Sequence, residues 1–175
     1  AATWSFFLGE SLIQQAEFQE AQTRFRFYLS QQPGGEYASR AEFRIAETYY
    51  LTNRDEPARA SLEKFLQSHP EDTLGCIARL YLGEMAMTAG DFTEARHWFE
   101  DIAETFPDFP HVDRARMGLA RALGGLGENQ LAAETYRTLL EKEGTLAGDV
   151  SRTEVIIERS VTLLKLDRPE EALAQ

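Results

Sequence analysis

LGEMAMTAGDFTEARHWFEDIAETFPDFP, residues 82–110, is the stretch that decides the fold. It carries two apolar patterns at helical spacing with a short break between them. Ile77, Leu80, Leu82 and Met85 to Met87 mark one helix, and Phe92, Ala95, Phe99 and Ile102 mark the next. Spacings of three and four put such residues on one face of a helix. At the break, Gly90 tolerates the left-handed conformation that ends a helix, and Asp91 suits the N-cap of the next. Pro107 then stops the second helix, because proline lacks the amide donor and clashes with the preceding turn.

The same unit recurs on both sides of this stretch. Gly9, Ala46, Gly83 and Ala120 lie 37 residues apart, as do Ala21, Ala58, Ala95 and Ala132, and Phe25, Leu62, Phe99 and Tyr136. Pro33, Pro70 and Pro107 keep the same interval. A fixed period of this length is the signature of a stacked-repeat solenoid. The reading predicts first helices near 2–15, 39–52, 76–89, 113–126 and 151–166. Second helices follow near 18–31, 55–68, 92–105 and 129–142, with a truncated one from about 169. Asn53, Gly90, Gly127 and Asp167 share the column of the turn inside each pair. The small columns let two helices approach closely while the aromatic column fills the space beside them. The fifth repeat returns after 40 residues, as Ala132 to Ala172 shows, and the surplus falls in Glu143 to Asp149, read as a longer loop. Arg159 stands in a column otherwise held by Leu8, Ile45, Leu82 and Leu119.

The expected fold is therefore all-α, a right-handed superhelical solenoid of antiparallel helix pairs. It has four full repeats plus a partial fifth, near 2–38, 39–75, 76–112, 113–149 and 150–175 of a single domain 1–175, and is expected to be part of a longer chain. With 18 basic and 29 acidic residues the formal charge is −11, which argues against nucleic acid as a partner, since phosphate binding draws on Lys and Arg clusters. No apolar run approaches the roughly 20 residues of a membrane span, so no direct insertion by this stretch is expected. The one cysteine, Cys76, has no internal partner for a disulfide.

Leu82-Gly83, Gly90-Asp91-Phe92, Ala95, Phe99 and Pro107 together resemble the tetratricopeptide repeat, whose usual period is about 34 residues. The three extra residues per repeat, with Phe106-Pro107-Asp108-Phe109-Pro110 and then Ala115 before Leu119, are similar to the longer-repeat proteins of the bacterial envelope, of the Tol–Pal coordinator and Bam-complex lipoprotein type. That resemblance implies a non-enzymatic interaction module that binds a protein or peptide. It also implies a periplasmic or outer-membrane-associated location, with a cytoplasmic one as the alternative.

In such solenoids the first helices line the concave face. One column there reads Phe6, Phe43, Leu80, Met117 and Ile157. Four residues on, a second reads Glu10, Glu47, Glu84, Arg121 and Val161, and a third reads Ile13, Tyr50, Met87, Gly124 and Leu164. The expected groove has an apolar floor, an acidic ladder over three repeats and a basic spot at Arg114 and Arg121. Arg40 and Ile77 complete the candidate site. Such a groove suits a helix or extended peptide with apolar anchors, and basic peptides are expected near Glu47 and Glu84. Ordinary packing between repeats is the competing account of Phe43 and Leu80. Tetratricopeptide modules that grip a chaperone's C-terminal carboxylate present Lys, Asn and Arg from these columns, so the acids here speak against that subclass.

Nothing in the chain supports catalysis, a metal or a cofactor. His69, His97 and His111 share no face, Cys76 has no histidine at triad-like placement, and Gly124-Gly125-Leu126-Gly127 lacks the Lys-Ser/Thr of a phosphate loop. Trp98 and Phe27 occupy outward columns of second helices, and Trp98 is expected to be partly buried against a loop. Leu163, Leu166 and Leu173 are expected to be uncovered and to support weak dimerisation. A self-assembling scaffold and an accessory domain of a larger enzyme are the alternative functions.

Overall fold

The computed structural model describes residues 2–174. Among these the chain is all-helical, with five first helices: α1 (Ala2–Gln14), α3 (Ala38–Leu51), α5 (Gly75–Ala89), α7 (Val112–Gly125) and α9 (Arg152–Lys165). Each is followed by a second helix: α2 (Phe18–Gln31), α4 (Asp55–Ser68), α6 (Phe92–Thr105), α8 (Asn129–Glu141) and the short α10 (Pro169–Leu173). The chain divides into two compact units, Ala1–Tyr81 and Leu82–Gln175.

Within the first unit, an aromatic of the second helix packs on a glycine of the first. A methyl group on Gly9 would lie 2.7 Å from the ring of Phe25, which is wholly buried. Phe6, Leu12, Ala21, Tyr28, Ala38 and Ala41 close the same core. The Tyr28 hydroxyl accepts the Tyr37 amide at 3.1 Å, so a core side chain also fixes the entry to α3. Gln22 of α2 donates to Thr48 of α3 at 2.5 Å, and Phe43 meets Phe65 edge-on at 5.5 Å.

In the second unit the aromatic contact is two-sided. A methyl group on Gly83 or on Gly118 would come within 2.6 Å of the Phe99 ring, so the ring sits between α5 and α7 at backbone distance from both. Met117, Ala120 and Leu123 of α7 pack with Ala132, Tyr136 and Leu139 of α8 and Val155 of α9. Leu146, from the long connection between α8 and α9, is buried in that cluster. Leu163 is buried too, contrary to the sequence expectation: with Val155 and Thr162 it lies on the inward side of α9. Leu166 is half-buried and Leu173 is exposed. Trp98 is half-buried, but against its own helix rather than a loop. Its Nε1 donates to Glu94 at 3.3 Å and its ring lies 5.2 Å from that of His97.

The turns inside the pairs share one construction. A residue with positive φ follows each first helix: Ala16 (60°), Asn53 (53°), Gly90 (76°), Gly127 (79°) and Asp167 (58°). The next amide then bonds five residues back, as Glu17 N–H does to Leu12 at 2.9 Å and Glu128 N–H to Leu123 at 2.9 Å. This six-to-one bond satisfies a carbonyl that the helix end would otherwise leave open. Asp91 adds the expected N-cap, its Oδ1 accepting the Glu94 amide at 2.9 Å. Ala16 is the one of the five that bears a side chain ill-suited to that backbone.

Two outcomes follow for stability. Gly83→Leu drives a side chain into a ring that Gly118 holds from the other side, and should cost about 1–3 kcal/mol by overpacking. Gly124→Ala, where a Cβ would meet nothing within 4 Å, should instead raise the thermal midpoint through better helix propensity. Equal midpoints for the two variants would show that the glycine contacts do not set the helix spacing. Ala16→Gly should stabilise by about 0.5–1 kcal/mol, since glycine carries little penalty in the left-handed region. Urea unfolding measures it, and an unchanged or lower stability would remove strain at Ala16 as an account of that turn.

Candidate functional site

On the first helices of the first unit, the expected acidic ladder is internally paired. Glu10 of α1 accepts from Arg40 at 2.5 Å and from Arg44 Nε at 2.7 Å, both from α3. Arg44 also donates to Glu47 at 2.5 Å, and Glu47 accepts the Tyr81 hydroxyl at 2.9 Å through its other oxygen. Burial pushes the Glu10 carboxyl up, but Arg44 and Arg40 outweigh it and hold the group below the usual carboxylate range. Burial likewise opposes the charge on Arg44, and its bonds to Glu10 and Glu47 raise it well above the ordinary arginine value. Tyr81 stacks on Tyr50 at 4.1 Å. The result is a cross-linked seam of two carboxylates, two guanidinium groups and two tyrosines.

The second unit builds its seam with the same chemistry and then inverts it. Glu84 of α5 accepts from Arg114 of α7 at 2.6 and 2.7 Å. One repeat on, the earlier helix supplies the cation: Arg121 of α7 donates to Glu154 and Glu158 of α9, each at 2.6 Å. Tyr136 donates to Glu158 at 2.6 Å. Burial pushes Glu158 up, but Arg121 and Tyr136 outweigh it and hold it below the ordinary range.

This arrangement corrects the open acidic groove expected from sequence. Glu47 is buried and bonded on both oxygens, and Glu10 and Glu84 are tied to arginines of the next first helix, so none offers a ready carboxylate to a basic peptide. Phe6, Phe43 and Leu80 are 0–2% exposed and belong to the packed core rather than to a groove floor, which for Phe43 and Leu80 is the competing packing account. Met117, 3% exposed, is core on one side and borders a cleft of the second unit on the other. Ile13, Tyr50, Ile77 and Met87 are half-buried, while Arg40, Arg114 and Arg121 are exposed.

Five of the candidate residues converge on one cleft of about 440 Å³ in the second unit: Glu84, Met87, Arg114, Met117 and Arg121. Phe99 and Gly118 form part of its wall, and Glu154 with Gly148, Asp149 and Val150 supplies the other side. The long connection is held there by a wholly buried carboxylate. Asp113, in the first turn of α7, accepts the Ala147 amide at 2.8 Å, Lys142 at 2.6 Å and Arg116 at 2.9 Å. Burial pushes Asp113 up, yet these donors outweigh it and keep it below the usual range. Arg152 adds bonds to the carbonyls of Leu140 and Gly144, the first at 2.9 Å. A second hollow of about 310 Å³ shares Arg121 and takes in Gly124, Tyr136, Val161 and Lys165. Gly124 stands in the column of Ile13, Tyr50 and Met87, and its missing side chain leaves that space open. Among the described residues no cluster could hold a metal ion, and no helix is long and apolar enough to cross a membrane.

Sequence reading missed Arg44, Tyr81, Glu154, Glu158 and the 148–150 lip. Arg44 and Tyr81 lie 37 residues apart, so the period carried a signal for that pair. The lip lies at the 40-residue irregularity, which marks a longer loop at Glu143 to Asp149 but carries no signal that it borders a cleft.

Family models for the tetratricopeptide repeat match residues 40–72 and 75–110. No curated protein matches the chain. Among solved structures, MamA from Desulfovibrio magneticus RS-1 superposes with a TM-score of 0.79 at 12% identity, over 99% of this chain and 89% of that one. YrrB, described as a TPR protein with an unusual peptide-binding site, gives 0.74 at 16% identity over 99% and 82%. A kinesin light chain of Podosopora anserina with nearly identical TPR-like repeats gives 0.71 at 18% over 98% and 89%. These likenesses show the fold: an all-α solenoid of tetratricopeptide repeats.

Asp113 sets the shape of the cleft, and its removal should be visible. Asp113→Asn should cost about 1.5–3 kcal/mol at neutral pH, the range for buried hydrogen bonds to a charged group. Because the folded-state pKa is depressed, this contribution is complete above the unfolded value of about 3.9 and is lost as pH falls through the lower folded value. Urea unfolding across pH should therefore show the gap between parent and variant closing in acid. A gap independent of pH would mean that the Asp113 charge does not hold the loop.

Proposed function

We propose that this tetratricopeptide-repeat protein is a non-enzymatic interaction module that takes a peptide or helix into the cleft of its second unit. The observation that carries the reading is the composition of that cleft. Met87, Met117, Phe99 and Val150 give it apolar wall, and Arg114 and Arg121 give it exposed cations. Half-apolar concavities with a few fixed polar groups suit ligands whose apolar side chains anchor them and whose backbone or carboxylates set their register. Each guanidinium is oriented by carboxylates on one edge, and a guanidinium has five donors to distribute. Orientation in advance lowers the entropy lost on binding. Support also comes from YrrB, a peptide-binding protein of the same fold. Paired glutamates speak for a ligand chosen by apolar anchors and acceptors rather than by basic side chains. Membership of a bacterial envelope complex rests on the longer repeat and is part of the same proposal.

A random peptide library displayed on phage and selected on the immobilised protein tests this. Enriched peptides should bind the double variant Met87→Gln, Val150→Asn at least about tenfold more weakly, equivalent to roughly 1.4 kcal/mol. The helical circular dichroism should stay that of the parent. Peptides that bind parent and variant equally would place recognition outside the cleft.

A further inference from the structure

The cleft of the second unit has one wall made of backbone. Gly148, Asp149 and Val150 form that lip, and neither the amide nor the carbonyl of any of the three is hydrogen-bonded among the described residues. Folded chains match nearly all such groups, so three successive unmatched residues beside a concavity form a short edge of donors and acceptors. The edge is fixed in place. Asp113 holds the Ala147 amide next to it at 2.8 Å. A methyl group on Gly148 would lie 2.9 Å from Cβ of Arg114 and 3.1 Å from Cα of His111, so the lip rests on the start of α7 at backbone distance. Met87, Met117 and Phe99 supply apolar surface to the same cleft. Arg114 commits Nε and Nη2 to Glu84, and Arg121 commits the same two atoms to Glu154 and Glu158. Nη1 of each carries no bond among the described residues and can serve a further acceptor.

We infer that the cleft takes its ligand as an extended peptide rather than a helix, with the ligand's main chain hydrogen-bonded along the 148–150 lip. This rests on the cleft being the recognition site, and names which of its possible ligands fits. A helix bonds its interior amides and carbonyls within itself, so it would cover the lip and leave those groups unmatched, which is costly. An extended segment presents an amide and a carbonyl to one side at every second residue and sends alternate side chains to opposite faces. Main-chain bonds of this kind give affinity, and pockets for alternate side chains give selectivity. Met87 and Met117 offer such apolar contact. Three acids, Glu84, Glu154 and Asp149, line the cleft against two bases, Arg114 and Arg121, which disfavours a ligand carboxylate and favours neutral peptide carbonyls at Nη1. Arg114 and Arg121 are seven residues apart on α7, a rise of roughly 10 Å. That distance is the reach of about three extended residues, the length of the lip itself.

Peptides selected on the immobilised protein, and weakened by Met87→Gln, Val150→Asn, supply the probe. Each peptide bond of one such peptide is replaced in turn by an ester, which deletes a single N–H and keeps every side chain. Binding should weaken about three- to tenfold at alternate positions and change by less than about twofold between them. Amide exchange at one or more of Gly148, Asp149 and Val150 should slow at least about tenfold under saturating peptide. Ester losses at every interior position or at none, or lip amides that exchange equally fast with and without peptide, would overturn the extended main-chain contact and leave peptide binding in the cleft standing. A selection that yields no peptide sensitive to the cleft variant would overturn the cleft as the site, and this inference with it.

Discussion

Two helix pairs rest on one close contact: a bulky side chain of the second helix, Phe25 or Phe99, against a glycine of the first. Phe99 shows the constraint most sharply, since its ring lies between Gly83 and Gly118 at a distance that excludes even a methyl group on either. The helices can approach only because the side chain on one side is missing, and the space is filled only because the other side chain is large. Interiors packed to this density transmit a change of one carbon atom to their neighbours. The spacing of first helices, the position of the seam and the cleft beside Gly118 follow from that contact.

The charge balance has a different meaning once the seams are visible. A formal charge of −11 suggests an acidic surface open to cations, yet Glu10 and Glu84 are bound to arginines of the next first helix, and Glu154 and Glu158 to an arginine of the previous one. Exposed ion pairs contribute little each to stability. Glu84, Glu154 and Glu158 hold Arg114 and Arg121, the arginines that border the clefts, while Glu10 and Glu47 fix Arg44 in the first unit. Electrostatics here is a matter of fixed geometry more than of net charge.

Sequence reading placed the helices to within about a residue because the period, the turn column and the prolines all act locally. Gly90, Asp91 and Pro107 each dictate backbone shape with no help from distant residues. The pairing of Glu10 with Arg44 was not legible in the same way, because residues 34 apart meet only after two helices have packed. Column arithmetic identifies which residues share a face but not which are covered: it places Phe6 in the groove and leaves Phe43 between groove and inter-repeat packing, and both are core. The lip formed by residues 148–150 depends on Asp113, whose buried carboxylate could not be told from 28 other acids by its sequence setting. Ala16 escaped the turn column because alanine is not a residue that the left-handed region favours.

Inversion of the seam at Arg121 makes the repeats non-interchangeable. Near-identical units stacked in a row invite slippage, in which one repeat docks where another belongs. If α5 were to meet α9 directly, Glu84 would face Glu154 and Glu158, and like charges would oppose each other. Only α7 presents the cation that α9 requires. The swap therefore disfavours a chain that skips a repeat, because only the correct order sets opposite charges against each other.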